Sequence, residues 1–254
     1  DLINSIVAEL TPAASDSTAE LQAVVDAANK VKALADGTAA NGLVALNATD
    51  AAAIGLPGLN TTGELALFNT LLDAAQIGAV DSFAELAEIA RIVEAIMSIA
   101  AGGNANPALT AADFELIGIT GLDADSVDDM VRLMATTADS GSGVDTIGEL
   151  QAVSVAAQAA AATAAALDLI SNYDGTNQAA VTATFAAAGV TGVTPDNLAA
   201  IQSALDDGDV QGNQADTVAE VQAIVDAYNA IKSNADATAN NNATNPTAAQ
   251  YTAI

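Results

Sequence analysis

The sequence predicts an all-α protein, built as a tandem array of small three-helix bundles that form an extended rod or filament. One 16-residue stretch occurs four times and starts at Asp16, Asp81, Asp145 and Asp216, so successive copies lie 65, 64 and 71 residues apart. Each copy opens with a helix-start motif, and apolar residues follow it at helical spacing. Self-similarity at a nearly fixed period is the signature of a repeat architecture.

The start motif is a hydroxyl residue followed three positions later by glutamate. In this capping box the hydroxyl accepts a hydrogen bond from an early backbone N–H of the helix, and the glutamate accepts one from the N–H of the cap residue. The motif predicts a long helix, here named helix C, that begins at each of four pairs: Ser17 and Glu20, Ser82 and Glu85, Thr146 and Glu149, and Thr217 and Glu220.

Helix C carries an apolar stripe with positions i, i+3, i+4, i+7 and i+10. Residues at this spacing share one helix face, which must pack on another element. The predicted core-facing sets are Leu21, Val24, Val25, Ala28 and Val31; Leu86, Ile89, Ala90, Val93 and Ile96; and Val221, Ile224, Val225, Tyr228 and Ile231.

A second recurring block predicts a short helix, helix A, that ends at a glycine. A left-handed backbone is common at the C′ position of helices and suits glycine. The predicted C′ residues are Gly55, Gly118 and Gly189. Three copies place an aromatic residue in helix A, and we expect these residues to be core anchors, with ligand-binding aromatics as the alternative: Phe114, Phe185 and Tyr251, while Ala51 is the copy that lacks one.

Between helices A and C, a middle helix B has apolar residues at i, i+3 and i+7. The sets are Ile3, Ile6 and Leu10; Leu65, Phe68 and Leu72; Val127, Met130 and Met134; and Leu198, Ile201 and Leu205. Its starts carry the cap-type residues Thr61, Asp123 and Asp196, with Pro195 near the first turn. One unit is therefore three helices, enough for a small bundle.

Stretches rich in Gly, Asn, Thr and Pro mark the predicted module boundaries. They give a partial module with helices B and C at 1–37, three-helix modules at 38–103, 104–171 and 172–240, and the start of a further module, with helix A, at 241–254. Because the connectors are short, we expect adjacent modules to touch. The ends fit either a window of a longer array, which is favoured, or head-to-tail docking of helix A onto the next copy.

Composition narrows the classes of function. The chain has 32 acidic and 5 basic residues and a net charge of −27, which repels nucleic acid and anionic membranes. It has no His and no Cys, so the usual proton shuttle and thiol nucleophile are missing. Polar residues interrupt the alanine-rich stretch 152–170, which we expect to be a module helix. We expect no nucleic-acid partner and no membrane insertion.

Carboxylates cluster twice, at Asp123, Asp125, Asp128 and Asp129 and at Asp206, Asp207 and Asp209. Neither cluster has the register of an EF-hand, so helix caps and a solvated face are expected, with weak calcium binding as the alternative. A Ser–His–Asp set requires His, and a phosphate-binding glycine loop is absent. We therefore predict no enzyme activity, no cofactor, and no catalytic, cofactor-binding or metal-site residues.

The chain resembles a known family through the motifs of one unit, which read Phe185-x-x-x-Gly189-Val190-Thr191, Asn197-Leu198-x-x-Ile201 and Thr217-Val218-x-Glu220-Val221. The unit resembles the three-helix GA-type modules of bacterial surface proteins, and is more closely similar to alanine-rich, acidic tandem repeats of large secreted bacterial adhesins. This resemblance implies a secreted, cell-surface or extracellular protein. GA modules bind serum albumin through helix B, but the aromatic residues at its start are missing here, so no contact residues are carried over.

Two hypotheses of function follow. The first is a structural repeat region of an extracellular bacterial surface protein, such as an adhesin stalk, a surface layer or a self-assembling filament, whose partners are neighbouring copies or modules. The alternative is an array of three-helix ligand-binding modules that capture a host or matrix protein through helix B. Binding of a soluble partner by a module favours the second hypothesis, whereas self-association alone favours the first.

Overall fold

A computed structural model of the chain describes residues 1–38, 44–75, 77–137, 142–176, 180–207, 210, 214–235 and 245–252. Across these ranges the secondary structure is helical, with twelve α-helices, two short 3-10 turns and no β-strand. The predicted all-α class is confirmed.

The helices follow the predicted order, in which helices B and C are followed by three rounds of A, B and C and a last helix A. They are α1 (Leu2–Glu9), α2 (Thr18–Leu34), α3 (Ala48–Ala53), α4 (Thr62–Ala74), α5 (Phe83–Ala100), α6 (Ala111–Leu116), α7 (Ala124–Met134), α8 (Ile147–Ser171), α9 (Thr182–Ala187), α10 (Pro195–Leu205), α11 (Val218–Asn234) and α12 (Ala248–Tyr251).

All four predicted capping boxes are formed at the starts of α2, α5, α8 and α11. At α2 the Ser17 N–H donates to the Glu20 carboxylate over 2.9 Å, and the Glu20 N–H donates to the Ser17 hydroxyl over 3.2 Å. The other three boxes repeat this reciprocal pair. Each box satisfies two backbone donors that would otherwise have no partner at the helix end.

The short helices A and the helices B are capped in a similar way. At α3 the Asn47 side chain accepts from the Asp50 N–H while Asp50 accepts from the Asn47 N–H. Thr110 and Asp113 form the same pair at α6. At α4 and α7 the predicted caps Thr61 and Asp123 are confirmed.

The predicted cap Asp196 of α10 is wrong. The N-cap of this helix is Thr194, so Pro195 takes the first helical position and Asp196 the second. The reason is that proline is pre-organised for the first turn and its missing N–H costs nothing there, which moves the cap to the residue before it. The Thr194 N–H donates to the Asn197 side chain over 2.7 Å.

The predicted glycine ends of helix A are confirmed. Gly55, Gly118 and Gly189 have φ of 85°, 86° and 82° and occupy C′. At α6 the Ile119 N–H donates to the Phe114 carbonyl over 2.9 Å and the Gly118 N–H donates to the Glu115 carbonyl over 3.0 Å, which is the Schellman pattern. The apolar residue after each glycine is buried against the helix that it follows.

The chain divides into two compact units, Asp1–Gln158 and Ala159–Ile254, and the division falls within α8. The two units are defined by how densely their residues contact one another and not by the repeats. The five modules expected from the repeats, with the four boundaries between them, stay a prediction.

In the first unit, α5 has more buried residues than any other helix of that unit. It packs on α1, α4 and α7. Its buried residues cover most of its circumference and go beyond the predicted stripe; they are Leu86, Ile89, Ala90, Ile92, Val93, Ala95, Ile96, Met97, Ile99 and Ala100. A helix that is apolar on most sides lies inside a core, and this single helix joins residues of several repeats into one hydrophobic cluster.

In the second unit, the core forms between α9, α10 and α11 around Phe185, Ile201 and Val221. Asn197 is buried at the edge of this core. Its amide donates to the Gly192 carbonyl over 2.8 Å and to Asn229 over 2.7 Å, so the buried polar group is satisfied.

Leu21 departs from the predicted core stripe, because 38% of its surface is exposed. Its neighbours on the stripe, Val24, Ala28 and Val31, are buried as predicted. Because α2 packs on α1, α3 and α4 together, its buried face is centred nearer Ala27, which leaves Leu21 at the edge.

The C′ glycine gives a matched prediction. Gly118→Ala should destabilise the first unit by about 1–2 kcal/mol, because a side chain is strained in the left-handed conformation. Gly148→Ala should be neutral or stabilising, by at most about 0.5 kcal/mol, because Gly148 lies in the first turn of α8 and an added Cβ would meet open space. Urea denaturation of both variants checks the difference. Equal effects of the two substitutions would contradict the assignment of Gly118 as the helix terminator.

The capping box gives a second prediction. Ser82→Ala should lower the free energy of unfolding by about 1 kcal/mol, because it removes the side-chain acceptor for the Glu85 N–H. Gln151→Ala, an exposed position inside α8, is the control and should change stability by less than about 0.5 kcal/mol. The same denaturation experiment measures both, and a Ser82→Ala variant as stable as the control would refute the role of the box.

Candidate functional site

The junction between helix A and helix C recurs in three copies. In each, the C′ glycine of helix A faces the first residue of the following helix C. A Cβ atom added to Gly55 would lie 3.1 Å from the Phe83 ring and 3.5 Å from a methyl of Leu10. The corresponding neighbours are more distant in the other two junctions, at 3.8 Å for Ile147 beside Gly118 and 3.9 Å for Val218 beside Gly189.

The junction at Gly118 opens into an apolar groove of about 550 Å³, which we name the Gly118 groove. It lies between the end of α4, the start of α5, the end of α6 and the start of α8. Its walls include Leu71, Ala75, Ile89, Leu116, Ile117 and Ile147. Leu116 is 55% exposed, so this part of the wall presents apolar surface to water. The groove therefore combines a concave shape with an apolar lining, as small-molecule sites do.

Two carboxylates, Glu85 and Glu88, stand among the lining residues. Glu85 accepts from the Ser82 hydroxyl over 2.8 Å in the capping box. Glu88 pairs with Arg91 over 2.7 Å and keeps about half of its side chain in solvent (48%). The other lining residues that the structure describes are uncharged, so the local field favours a positive group.

A second cleft in the same unit contains Glu64, Glu94 and Asp145. Burial, and then the negative charge of Glu64, raise the pKa of Glu94. Burial is also the main cause that raises the pKa of Asp145, and Glu149 adds to it. Like charges brought together in partly desolvated surroundings disfavour ionisation.

Salt bridges link helix C to the helix A of the next copy. Lys30 of α2 pairs with Asp50 of α3 over 2.6 Å. Arg91 of α5 contacts Asp113 of α6 in the same way. Burial alone would raise the pKa of Asp113, but hydrogen bonds from Thr110 and the charge of Arg91 bring it below its ordinary value.

The predicted core anchors Phe114 and Phe185 are confirmed, because both rings are fully buried in the cores of their units and have no surface for a ligand. The prediction for Tyr251 is wrong, since 57% of this residue is exposed. Its helix α12 has its main contact with α11, which leaves the ring outside the hydrophobic clusters.

The acidic clusters act partly as predicted caps. Asp123 is the N-cap of α7, and Asp129 pairs with Arg132 over 2.5 Å. Asp209 lies outside the described residues. Among the residues that the structure describes, no three acidic side chains are grouped as metal ligands. Weak calcium binding stays a hypothesis for chelation experiments.

The helix α8 is long and apolar enough, by length and composition alone, to cross a membrane; no other helix in the described ranges is. Only 22% of its most apolar 18-residue window is buried. A soluble core helix can pass the same test of length and composition, so the expectation of a module helix stays a prediction.

Comparison of the chain with protein-family models, curated proteins and solved structures found no significant match. The resemblance to GA-type and adhesin repeats therefore rests on the motifs in the sequence.

The raised pKa of Glu94 predicts a pH-dependent gain in stability on removing its charge. The pKa of Glu94 in the folded state lies above its ordinary value of 4.5, so the ionised carboxylate destabilises the fold. This destabilisation grows as the pH rises from the ordinary pKa to the raised pKa of the folded state. Glu94→Gln should raise the free energy of unfolding at pH 7 by less than about 1 kcal/mol, because solvent screens the charge. The gain should shrink when the pH falls below 4.5.

Thermal unfolding at pH 7 and pH 4 tests this expectation. Glu115→Gln, at an exposed glutamate of α6, is the control for the loss of one negative charge. A Glu94→Gln variant that is less stable than the parent at pH 7 would show that the carboxylate is favourably placed.

Proposed function

We propose that this chain is a structural repeat region of an extracellular bacterial surface protein, in which coupled three-helix repeats form an extended scaffold. It acts through self-association of neighbouring modules or copies and carries out no catalysis. The negative surface suits a scaffold that must stay soluble and avoid nucleic acid and anionic lipid.

One recurring contact carries the proposal: each helix C touches the helix A of the next copy, by helix packing, by a polar link or by both. The helices α2 and α3 are in contact, as are α11 and α12. Three of the four junctions also have a polar link, namely Lys30 to Asp50, Arg91 to Asp113, and the Thr163 hydroxyl to the Ala187 carbonyl. Neighbouring repeats are therefore coupled by direct contacts as well as by the chain.

Coupling of this kind suits a scaffold. In repeat proteins the stability is close to a sum of the stabilities of single repeats and of the interfaces between neighbours. Alanine-rich helices bury little apolar area each, so the interface to the next repeat is a large part of what holds each repeat together. Catalytic function would need a cleft with activated groups, whereas a scaffold needs only this repeated contact.

Small-angle X-ray scattering tests the extended shape. A compact chain of 254 residues has a radius of gyration of about 18 Å. We expect a clearly larger value and a distance distribution with the long tail of a rod. A radius of gyration near 18 Å would contradict the proposed extended shape.

Immunogold electron microscopy tests the location. An antiserum raised against the chain should label the outer surface or extracellular fibres of intact source cells, and the label should disappear after brief protease treatment of those cells. Pre-immune serum is the control. Label restricted to the interior of sectioned cells would contradict the proposed function.

A further inference from the structure

At the Gly118 groove, two side chains that fill the corresponding junction beside Gly55 are replaced by smaller ones. Beside Gly55 the space is occupied by the Phe83 ring and the Leu10 side chain. Phe83 is the first residue of α5 and Leu10 is the C-cap of α1. The residues at the same positions beside Gly118 are Ile147, the first residue of α8, and Ala75, the C-cap of α4.

The comparison of the two junctions indicates the shape of a ligand that fits the Gly118 groove. One copy of the junction packs a phenyl ring and a branched aliphatic chain against the glycine, whereas the other leaves an apolar groove of about 550 Å³. An aromatic ring with a short alkyl chain can therefore replace the missing side chains. Exposed apolar walls such as Leu116 make this burial favourable, because apolar surface on both partners leaves water.

Charge defines the second part of the ligand. Glu85 and Glu88 face the groove, and the other described residues of its lining are apolar or glycine. The positive charge nearest to them, Arg91, is shared between Glu88 and Asp113. An anionic ligand would meet repulsion from both glutamates, whereas a cationic group gains attraction at the mouth of the groove.

We propose that the Gly118 groove is a binding site for a small cationic aromatic ligand, with the ring against Gly118 and Ile147 and the ammonium toward Glu85 and Glu88. This site goes beyond the proposed scaffold role and does not depend on it. It would give this junction a recognition function that the filled junction at Gly55 lacks.

The probe series is 4-phenylbutylamine with its neutral and anionic analogues, 4-phenylbutanol and 4-phenylbutyrate. Titration of the full chain, followed by amide shifts in ¹H–¹⁵N NMR spectra, should move the signals of Leu116, Ile117 and Gly118. For a ligand of this size we expect a Kd on the order of 1 mM for the amine. The neutral analogue should bind about two- to five-fold more weakly, and the anion more weakly still.

Variants separate the two parts of the site. Ala75→Leu combined with Ile147→Phe copies the filled junction at Gly55 and should abolish binding of the amine and the alcohol. Val218→Ile at the Gly189 junction is the matched control and should bind like the parent. Glu88→Gln should weaken binding of the amine two- to five-fold, by about the energy of an exposed ion pair, and leave the alcohol unchanged.

Two results would overturn the proposal. One is unchanged binding by a folded variant with the filled junction, which would place the probe elsewhere. The other is equal binding of the amine and the anion, which would remove the role of the glutamates. If the double variant fails to fold, the comparison of Glu88→Gln between amine and alcohol still decides the outcome.

Discussion

The reciprocal hydrogen bonds at the helix starts are the constraint on which the rest of this structure depends. Each box fixes one residue as the beginning of a helix, as Ser82 does for α5. Once the beginning is fixed, the helical period decides which side chains face the core. It also decides that the first residue of the helix, Phe83 in this case, lies against the glycine that ends the preceding helix A. A one-residue shift of the start would rotate the helix by about 100° and break both arrangements.

The second level of organisation is the contact between successive repeats. The chain has only five basic residues, and two of them, Lys30 and Arg91, pair with the first-turn aspartates of the next helix A. At the corresponding position the later copies have Thr184 and Gln250, which are neutral. The preceding helices α8 and α11 make their contacts there without a salt bridge. An aspartate therefore stands at this position of helix A where the preceding helix C offers a basic partner, and a neutral residue stands there where it does not. Such matching favours the correct order of neighbouring repeats.

The copies share the same helices but differ in the side chains at the junction between helix A and helix C. The residue that follows the cap of helix C is Phe83, Ile147 or Val218. The distance from its side chain to a Cβ atom added at the C′ glycine changes with it, from 3.1 Å for Phe83 to 3.8 Å for Ile147 and 3.9 Å for Val218. A small change in volume at one junction leaves a groove beside Gly118, whereas the junction at Gly55 is filled. Because core packing responds to single methylene groups, such substitutions are sufficient to create a recess without altering the helices around it.

The sequence by itself determined the local structure: the all-α class, the order of the helices, the four boxes and the glycine ends of helix A. These features follow from interactions between residues less than about six positions apart, which a pattern can reveal. Only the tertiary structure decided that α5 is buried on most sides, that Leu21 and Tyr251 are exposed, and that a groove opens beside Gly118. Burial depends on which helices of other repeats lie nearby, and those contacts join residues far apart in the chain, such as the Phe83 N–H and the Ser5 hydroxyl 78 positions away.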